Sequence, residues 1–403
     1  MLAGEQMVNA LKRLIAVGGK WEYTWLCVIV LVSLALHFSL ILMPPQPIYD
    51  EQFYVDDARS ILAGQSTLRP EHPSLGKLFV VAGISIFGDG PMGWRFFSVV
   101  FGTSGIIRVY RICRQLAMSR RASYLATFLF AFENMSFVQA SITMLDVYCV
   151  TLMLASFWLY LKGRYPLSGV MAGLSALAKL NGALTLVAIG LHWFITRRDR
   201  PKVFIPSMAL SAAAFIGLMP LVDFIPFGRL VSPIGRIKDM LSLSGSLTFA
   251  NVDNPNALKP WFWIFQVRPI AYWYKPDYIG TMSYTVLAFI IPAAVYMLVK
   301  TFRRSDAGLF GIAWFAGTYF IWIPATFITD RVGYPFYIYP TIPAFCLGLG
   351  MAISWLFDVW QGRSRGKLRW VALISGIAFL VIHLVVFALM SPASYWLGSP
   401  FYR

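Results

Sequence analysis

Apolar residues in this chain come in long, nearly unbroken runs rather than in alternation or in heptads. The runs fall at about 24–43, 92–112, 122–140, 143–161, 165–178, 181–196, 203–222, 283–300, 308–327, 335–357 and 370–390. Most approach the ~20 residues that a helix needs to cross a bilayer. In lipid every backbone polar group must be satisfied within its own segment, so open sheets are excluded. A membrane barrel would show ~10-residue alternating segments, and none is visible. The pattern predicts an all-α fold, a polytopic transmembrane helical bundle of about eleven spans.

The polar punctuation sets the threading. Basic clusters stand at Lys12/Arg13/Lys20, Arg111/Arg114/Arg120/Arg121, Lys162/Arg164, Arg197/Arg198/Arg200/Lys202, Lys300/Arg303/Arg304 and Arg363/Arg365/Lys367/Arg369. If all lie on the cytoplasmic side, neighbouring clusters are separated by an even number of crossings. This puts the N-terminus inside and the C-terminus outside. "AKLNG" at 178–182 interrupts the stretch between Arg164 and Arg197, so two short half-spans meeting at an outer corner are expected there. The first run is too long for a signal-peptide core and is followed by "MPPQP", which reads as a retained signal-anchor. Residues 5–15 before it carry Val8, Leu11 and Ile15 opposite Lys12 and Arg13, the pattern of a short helix on the inner membrane surface.

This threading gives a single membrane domain over 1–403 with two large outer segments, 44–91 and 223–282, and no separate soluble domain. Residues 76–88, "GKLFVVAGISIFG", are apolar but too short to span, and suggest a small interfacial or re-entrant helix in the first outer loop. The segment 223–282 is rich in Trp, Tyr, Phe and Pro, which suits a water–lipid interface.

Composition agrees. Hydrophobic residues make up 58% of the chain and charged residues only 13%, half the ~25% of a soluble domain. The net charge of +16 lies in clusters between apolar runs, as membrane topology requires, and does not read as a nucleic-acid footprint. Cys27, Cys113, Cys149 and Cys346 lie in or beside apolar runs and read as free thiols.

Against this basic background, "IYDEQFYVDDARSILAG" gathers Asp50, Glu51, Asp56 and Asp57 just after the first span. His72, Lys77, Glu133, Asp146, Lys179 and Arg331 fall at outer ends of the apolar runs. Ionisable groups at membrane depth mark function more often than packing. A carboxylate beside Lys and Arg, over helices that could hold a lipid tail, suits a base that takes a hydroxyl proton while cations hold a phosphate leaving group.

The motifs also resemble a known family. "YDEQFYVDDARSILAG" resembles the Asp-Glu motif of dolichyl-phosphate-mannose protein O-mannosyltransferases, glycosyltransferase family 39 of the GT-C superfamily. "EHPSLGKLFVVAGISIFGDGPMGWRFFSVVFG" is similar to their His-Pro-Pro-Leu-Gly-Lys stretch followed by Gly-Trp-Arg. "ENMSFVQASITMLDVYCVTLMLASFWLY" resembles their corner with Leu-Asp, and "GLSALAKLNGA" their Lys-Trp-Asn/Thr-Gly corner. "DRVGYPFYIYPTIPAFCLGLG" resembles their Tyr-Tyr-Leu-Pro-Ala-Ile-Pro-Phe span. The matches run in family order from about 48 to 350. There are departures: Ser74 replaces the second Pro of the His-Pro motif, Ser141 stands about where the family often has Arg, and no β-trefoil domain is inserted.

The resemblance implies a GT-C membrane fold and an inverting glycosyltransferase. It would move mannose, or a similar hexose, from polyprenyl or dolichyl phosphate to a Ser/Thr hydroxyl. Asp50, with Glu51, becomes the candidate base; the residues alone imply only an outer acidic cluster, and loop solvation is the plain alternative. Lys179 and Arg331 become candidates for the donor phosphate, with snorkelling as their alternative. Arg95 would bind either the phosphate or a loop acid. His72, Lys77, Asp57, Asp146 and Glu133 are assigned to the sugar or acceptor pocket, while Glu133 and Asp146 could equally cap a turn and Asp57 could sit near a helix start. His37, His192 and His383 read as satisfied core residues. No spacing demands a metal, although an Asp50/Glu51 pair could hold a divalent cation, as in oligosaccharyltransferases of the same superfamily.

The partners expected are a polyprenyl-phosphate sugar, a protein or lipid acceptor and membrane lipids, with no nucleic acid and an open oligomeric state. A lipid or cell-wall glycan acceptor, as in aminoarabinose transferases, is the nearest alternative. A flippase or transporter is disfavoured because the charges gather at one face and no internal repeat is seen. The protein should be multi-pass, in the plasma membrane if prokaryotic and the endoplasmic reticulum if eukaryotic, with its site on the outer or luminal face.

Overall fold

The computed structural model describes residues 22–196, 201–362 and 366–397. The helix expected at 5–15 lies outside them. The chain is mostly helical: α1 Thr24–Leu40, α2 Glu51–Leu62, α3 Leu75–Phe87, α4 Pro91–Gln115, α5 Arg120–Ala131, α6 Asn134–Ser141, α7 Leu145–Leu161, α8 Tyr165–Ala178 and α9 Leu184–Thr196. There follow α10 Pro201–Phe227, α11 Pro233–Gly245, α12 Pro260–Trp263, α13 Tyr284–Ala288, α14 Ile290–Phe302, α15 Asp306–Phe315, α16 Trp322–Thr329, α17 Ile342–Gln361 and α18 Lys367–Met390.

Five helical stretches are long and apolar enough to cross a membrane, or six if the bent pair α6–α7 is one span. The other apolar runs form shorter helices, among them α1, α8 and α14.

Several expected spans are broken, each for a local reason. The run 122–140 is two helices, because Glu133 interrupts it and caps α6 by accepting from the Ser136 backbone N–H at 2.7 Å. α6 and α7 then meet at 114°. Ile142 and Met144 are extended at this corner, and the Thr143 N–H is held by Glu51 at 3.0 Å. The corner expected at 178–182 is present: Lys179 is extended and a 3₁₀ turn covers Leu180–Ala183. Gly182 is required there, since a Cβ would come within 2.2 Å of the Ser175 backbone. The run 283–300 breaks at Phe289, and 308–327 contains a π-helical turn at Ala316–Phe320.

The all-α expectation needs one correction. In the second outer segment, Ala271–Trp273 pairs antiparallel with Tyr278–Ile279, Ala271 opposite Ile279 and Trp273 opposite Tyr278. Aromatic residues favour this small hairpin over a helical turn. Residues 44–91 fold into α2 and α3, so the short apolar stretch at 76–88 does form a helix.

α8 packs on α7 and α10, α17 on α5, and α4 on α7. The main apolar core runs through α5, α7, α15 and α17. A second cluster joins Ile48 and Tyr54 of the first loop to Val147, Tyr148, Tyr272 and Tyr278, so the loop, the α6–α7 corner and the hairpin share one floor. The four cysteines are free. The three histidines assigned to the core are hydrogen-bonded: His37 with Ser141, His192 with Tyr160 and Asp306, His383 with Thr285.

Candidate active site

Asp50 and Glu51 begin α2 but have different surroundings. Glu51 is fully buried, and Arg95 of α4 grips both its carboxylate oxygens at 3.0 and 2.8 Å. The same carboxylate accepts the N–H groups of Thr143 at 3.0 Å and Ile48 at 3.2 Å. The remaining Arg95 donors go to the carbonyls of Ile41, Met43, Pro44 and Gln46. Arg95 is therefore a staple that ties the first span's exit to α2 and α4. It has no donor left for a phosphate, so of the two partners expected for it the loop acid is the one it binds.

Asp50 is half-buried, and its carboxylate makes no helix-capping bond. Burial pushes its pKa up to about 6, against the pull of Lys179 and Arg69 and reinforced by Asp146. A carboxylate with this value is suited to proton transfer near neutral pH.

Lys179, at the extended corner after α8, donates to Asp146 at the start of α7 at 2.7 Å. Its ammonium also lies over the rings of Phe336 and Tyr337, at 5.8 and 5.4 Å. Arg331 stands just beyond α16. Residues 247–249 hold its backbone, with Phe249 N–H donating to Asp330 and Val332 N–H to Leu247, both at 2.9 Å. Its side chain makes no hydrogen bond or ion pair to another described residue. His72 stays half-exposed beside Tyr54. Burial, then the charges of Lys179, Lys77, Arg331 and Arg69, hold its imidazole well below the ordinary value, so it is neutral. Asp50, His72, Asp146, Lys179 and Arg331 thus come from five separate stretches into one electrostatic neighbourhood.

Three other residues assigned to the pocket are otherwise engaged. Lys77 is buried and spends its donors on Asp57 at 3.1 Å, Thr67 at 2.6 Å and the Arg69 carbonyl at 3.0 Å. Asp57 in turn accepts from Thr67 and the Leu68 N–H. This buried pair pins residues 67–69 and does not face a substrate. Glu133 is buried as the α6 cap and also accepts the Ser283 N–H at 2.7 Å. Nor does the Asp50/Glu51 pair fit a divalent cation, because both oxygens of Glu51 are already occupied. Among the described residues no cluster of three or more His, Cys, Asp or Glu side chains forms a metal site.

The sequence reading missed Asp223, Arg236 and Arg69. Asp223 is an acid at the very end of an apolar run, and within its helix that position should have singled it out. Arg69, over the Phe53 ring at 4.1 Å, adds a second cation beside Lys179 near Asp50.

The chain is similar in sequence and in fold to known proteins. A family profile described as dolichyl-phosphate-mannose-protein mannosyltransferase matches residues 71–224. The chain is 22% identical to a polyprenol-phosphate-mannose–protein mannosyltransferase of Corynebacterium glutamicum, over 95% of this chain and 92% of that one. It is 22% identical to the protein of the same name from Mycobacterium tuberculosis, over 83% and 81%. Its fold matches the S. cerevisiae protein O-mannosyltransferase Pmt1–Pmt2 complex bound to the sugar donor. The TM-score is 0.75 with 12% identity, over 93% and 90% of the chains. ArnT from Cupriavidus metallidurans bound to undecaprenyl phosphate aligns with a TM-score of 0.57 and 18% identity, over 93% and 75%. The chain is thus similar in sequence to polyprenol-phosphate-mannose–protein mannosyltransferases over most of its length, carries a match to the dolichyl-phosphate-mannose-protein mannosyltransferase profile over residues 71–224, and shares the fold of the Pmt1–Pmt2 and ArnT structures.

Proposed function

We propose that this protein is an inverting membrane glycosyltransferase that moves mannose from a polyprenyl phosphate to a Ser or Thr hydroxyl of a protein. The observation that carries the reading is the Asp50 carboxylate, with a pKa of about 6, beside Lys179 and Arg69.

Asp50 takes the proton from the acceptor hydroxyl as its oxygen attacks the anomeric carbon. The bond from that carbon to the phosphate oxygen breaks, and its electron pair leaves with the polyprenyl phosphate. Attack opposite the leaving group inverts the configuration. No general acid is needed, since a phosphate leaves as an anion. Lys179 keeps Asp146 as one partner and offers its remaining N–H groups as a point-charge contact to the phosphate. Arg331 offers a two-pronged one. Neutral His72 contributes a ring donor or acceptor toward the sugar. Glu51 and Arg95 act through the backbone they hold. The family's relatives supply the sugar and the acceptor class; the site's own chemistry supplies the base and the cations.

The threading of about eleven crossings is part of this proposal. It counts the shorter helices and half-spans as crossings and puts the site on the outer face of the membrane, where polyprenyl-linked sugars meet secreted chains.

The test supplies radiolabelled polyprenyl-phosphate mannose to membranes holding wild type or Asp50→Asn. Label is expected in protein with wild type and lost with the variant. Label in lipid or glycan would replace the acceptor class, and equal transfer by both proteins would remove Asp50 as the base.

A further inference from the structure

The His-Pro motif carries Ser74 where the family has Pro, and the structure gives this serine a task. Its hydroxyl donates to Asp223, near the end of α10, at 2.5 Å. The other Asp223 oxygen accepts from Arg236 of α11 at 3.1 Å. Arg236 then donates to the carbonyls of Pro70 and, at 2.8 Å, His72. All three side chains are buried, with Arg236 packed on the Phe227 ring at 5.0 Å. The Thr67 N–H reaches the Pro226 carbonyl at 3.0 Å. From the other side, Lys77 holds the carbonyl of Arg69.

Residues 67–74 therefore form a strip whose backbone is bound from behind at 67, 69, 70 and 72. Arg69 and His72 stay partly exposed on the other side; His72 is within electrostatic reach of Lys179 and Arg331, and Arg69 acts on Asp50. A guanidinium suits this task because its flat fork serves one carboxylate and two carbonyls at once, which an ammonium on a flexible stem does poorly.

We propose that Arg236, oriented by Asp223 and Ser74, is a positioning residue for catalysis: it fixes the 67–74 strip so that Arg69 and His72 form one wall of the Asp50 recess. Arg236 touches no reacting atom in this scheme. It couples the second outer segment to the first, so that α11 and the His-Pro strip move as one piece. The inference rests on the mannosyl-transfer reading.

The test compares full-length wild type, Arg236→Met, Arg236→Lys and Ser74→Ala in detergent. Hydrogen exchange over 67–74 is read first, then transfer from polyprenyl-phosphate mannose as a function of pH. Arg236→Met is expected to lose about 10- to 100-fold in kcat, as misplaced catalytic walls do, with the donor KM within about twofold. Its acid limb should move to higher pH, because Arg69 no longer draws down Asp50. Exchange over 67–74 should rise in the same variant. Arg236→Lys should restore part of kcat. Ser74→Ala, the mildest change and the one expected to fold normally, should shift the limb in the same direction by less. Folded Arg236→Met and Ser74→Ala proteins with the wild-type pH profile and kcat would overturn the proposal. A wild-type protein that transfers no mannose would instead overturn the reaction on which it depends.

Discussion

Arg95 holds both oxygens of Glu51, at 2.8 and 3.0 Å, in a fully buried pair, and this separates two acids that are neighbours in sequence. Glu51 is committed to structure, whereas the Asp50 carboxylate makes no capping bond and stays partly exposed. Opposite phenotypes are expected. Asp50→Asn should fold with near-wild-type thermal stability and lose at least about 100-fold in kcat, the usual reach of a general base. Glu51→Gln should destabilise the protein by about 3–5 kcal/mol, since it leaves a guanidinium buried without its counter-charge. Thermal unfolding in detergent, read beside single-turnover transfer, separates the two.

As the proposed base, Asp50 would work only when ionised. With its pKa raised to about 6, activity should be lost as pH falls through that value and reach a plateau above it. A kcat/KM profile between pH 4.5 and 8 checks this; a flat profile across pH 5–7 would count against Asp50.

Lys179 and Asp146 pull that limb in opposite directions. Lys179 lowers the Asp50 value and Asp146 raises it. Asp146→Asn should therefore move the acid limb to lower pH, and Lys179→Met should move it to higher pH while also weakening donor binding. The two profiles, measured side by side, test whether the buried pair tunes the base.

Arg331 makes no side-chain ion pair among the described residues, so its loss should leave stability unchanged within ~0.5 kcal/mol. If it grips the donor phosphate, Arg331→Ala should raise the donor KM by about tenfold or more. An unchanged KM would return Arg331 to the membrane interface as a snorkelling residue.

Glu51's engagement also bears on metal dependence. A cation would have to displace Arg95 to use both acids, so transfer should proceed unchanged in excess EDTA. Loss of activity on chelation, restored by Mg²⁺ or Mn²⁺, would require a different ligand set.

The apolar runs announced the helices, and the carboxylates after the first run announced a break between them. The corner at Lys179 was legible from "AKLNG" set between two basic clusters. What stayed hidden was pairing. Nothing local distinguishes Glu51 from Asp50, because the partner that does so lies 44 residues away. Lys77 and Asp57 read as pocket residues for the same reason: each looks free until the chain folds back. The break at Glu133 was obscured by equally apolar sequence on both sides, and the hairpin at 271–279 by a density of aromatics that suits interfaces and strands alike.

The bonds between the two outer segments also carry an order of assembly. The Glu51–Arg95 clasp joins residues close in the chain and can close early in synthesis. The bond from Ser74 to Asp223 spans 149 residues, and that from Arg236 to Pro70 spans 166. The recess therefore cannot acquire its back wall until α10 and α11 have left the ribosome. A nascent chain halted before them carries Asp50, the clasp and the Lys179 corner, yet lacks the bonds that fix the 67–74 strip beside them. On the mannosyl-transfer reading, activity would be withheld until more than half of the protein has been made.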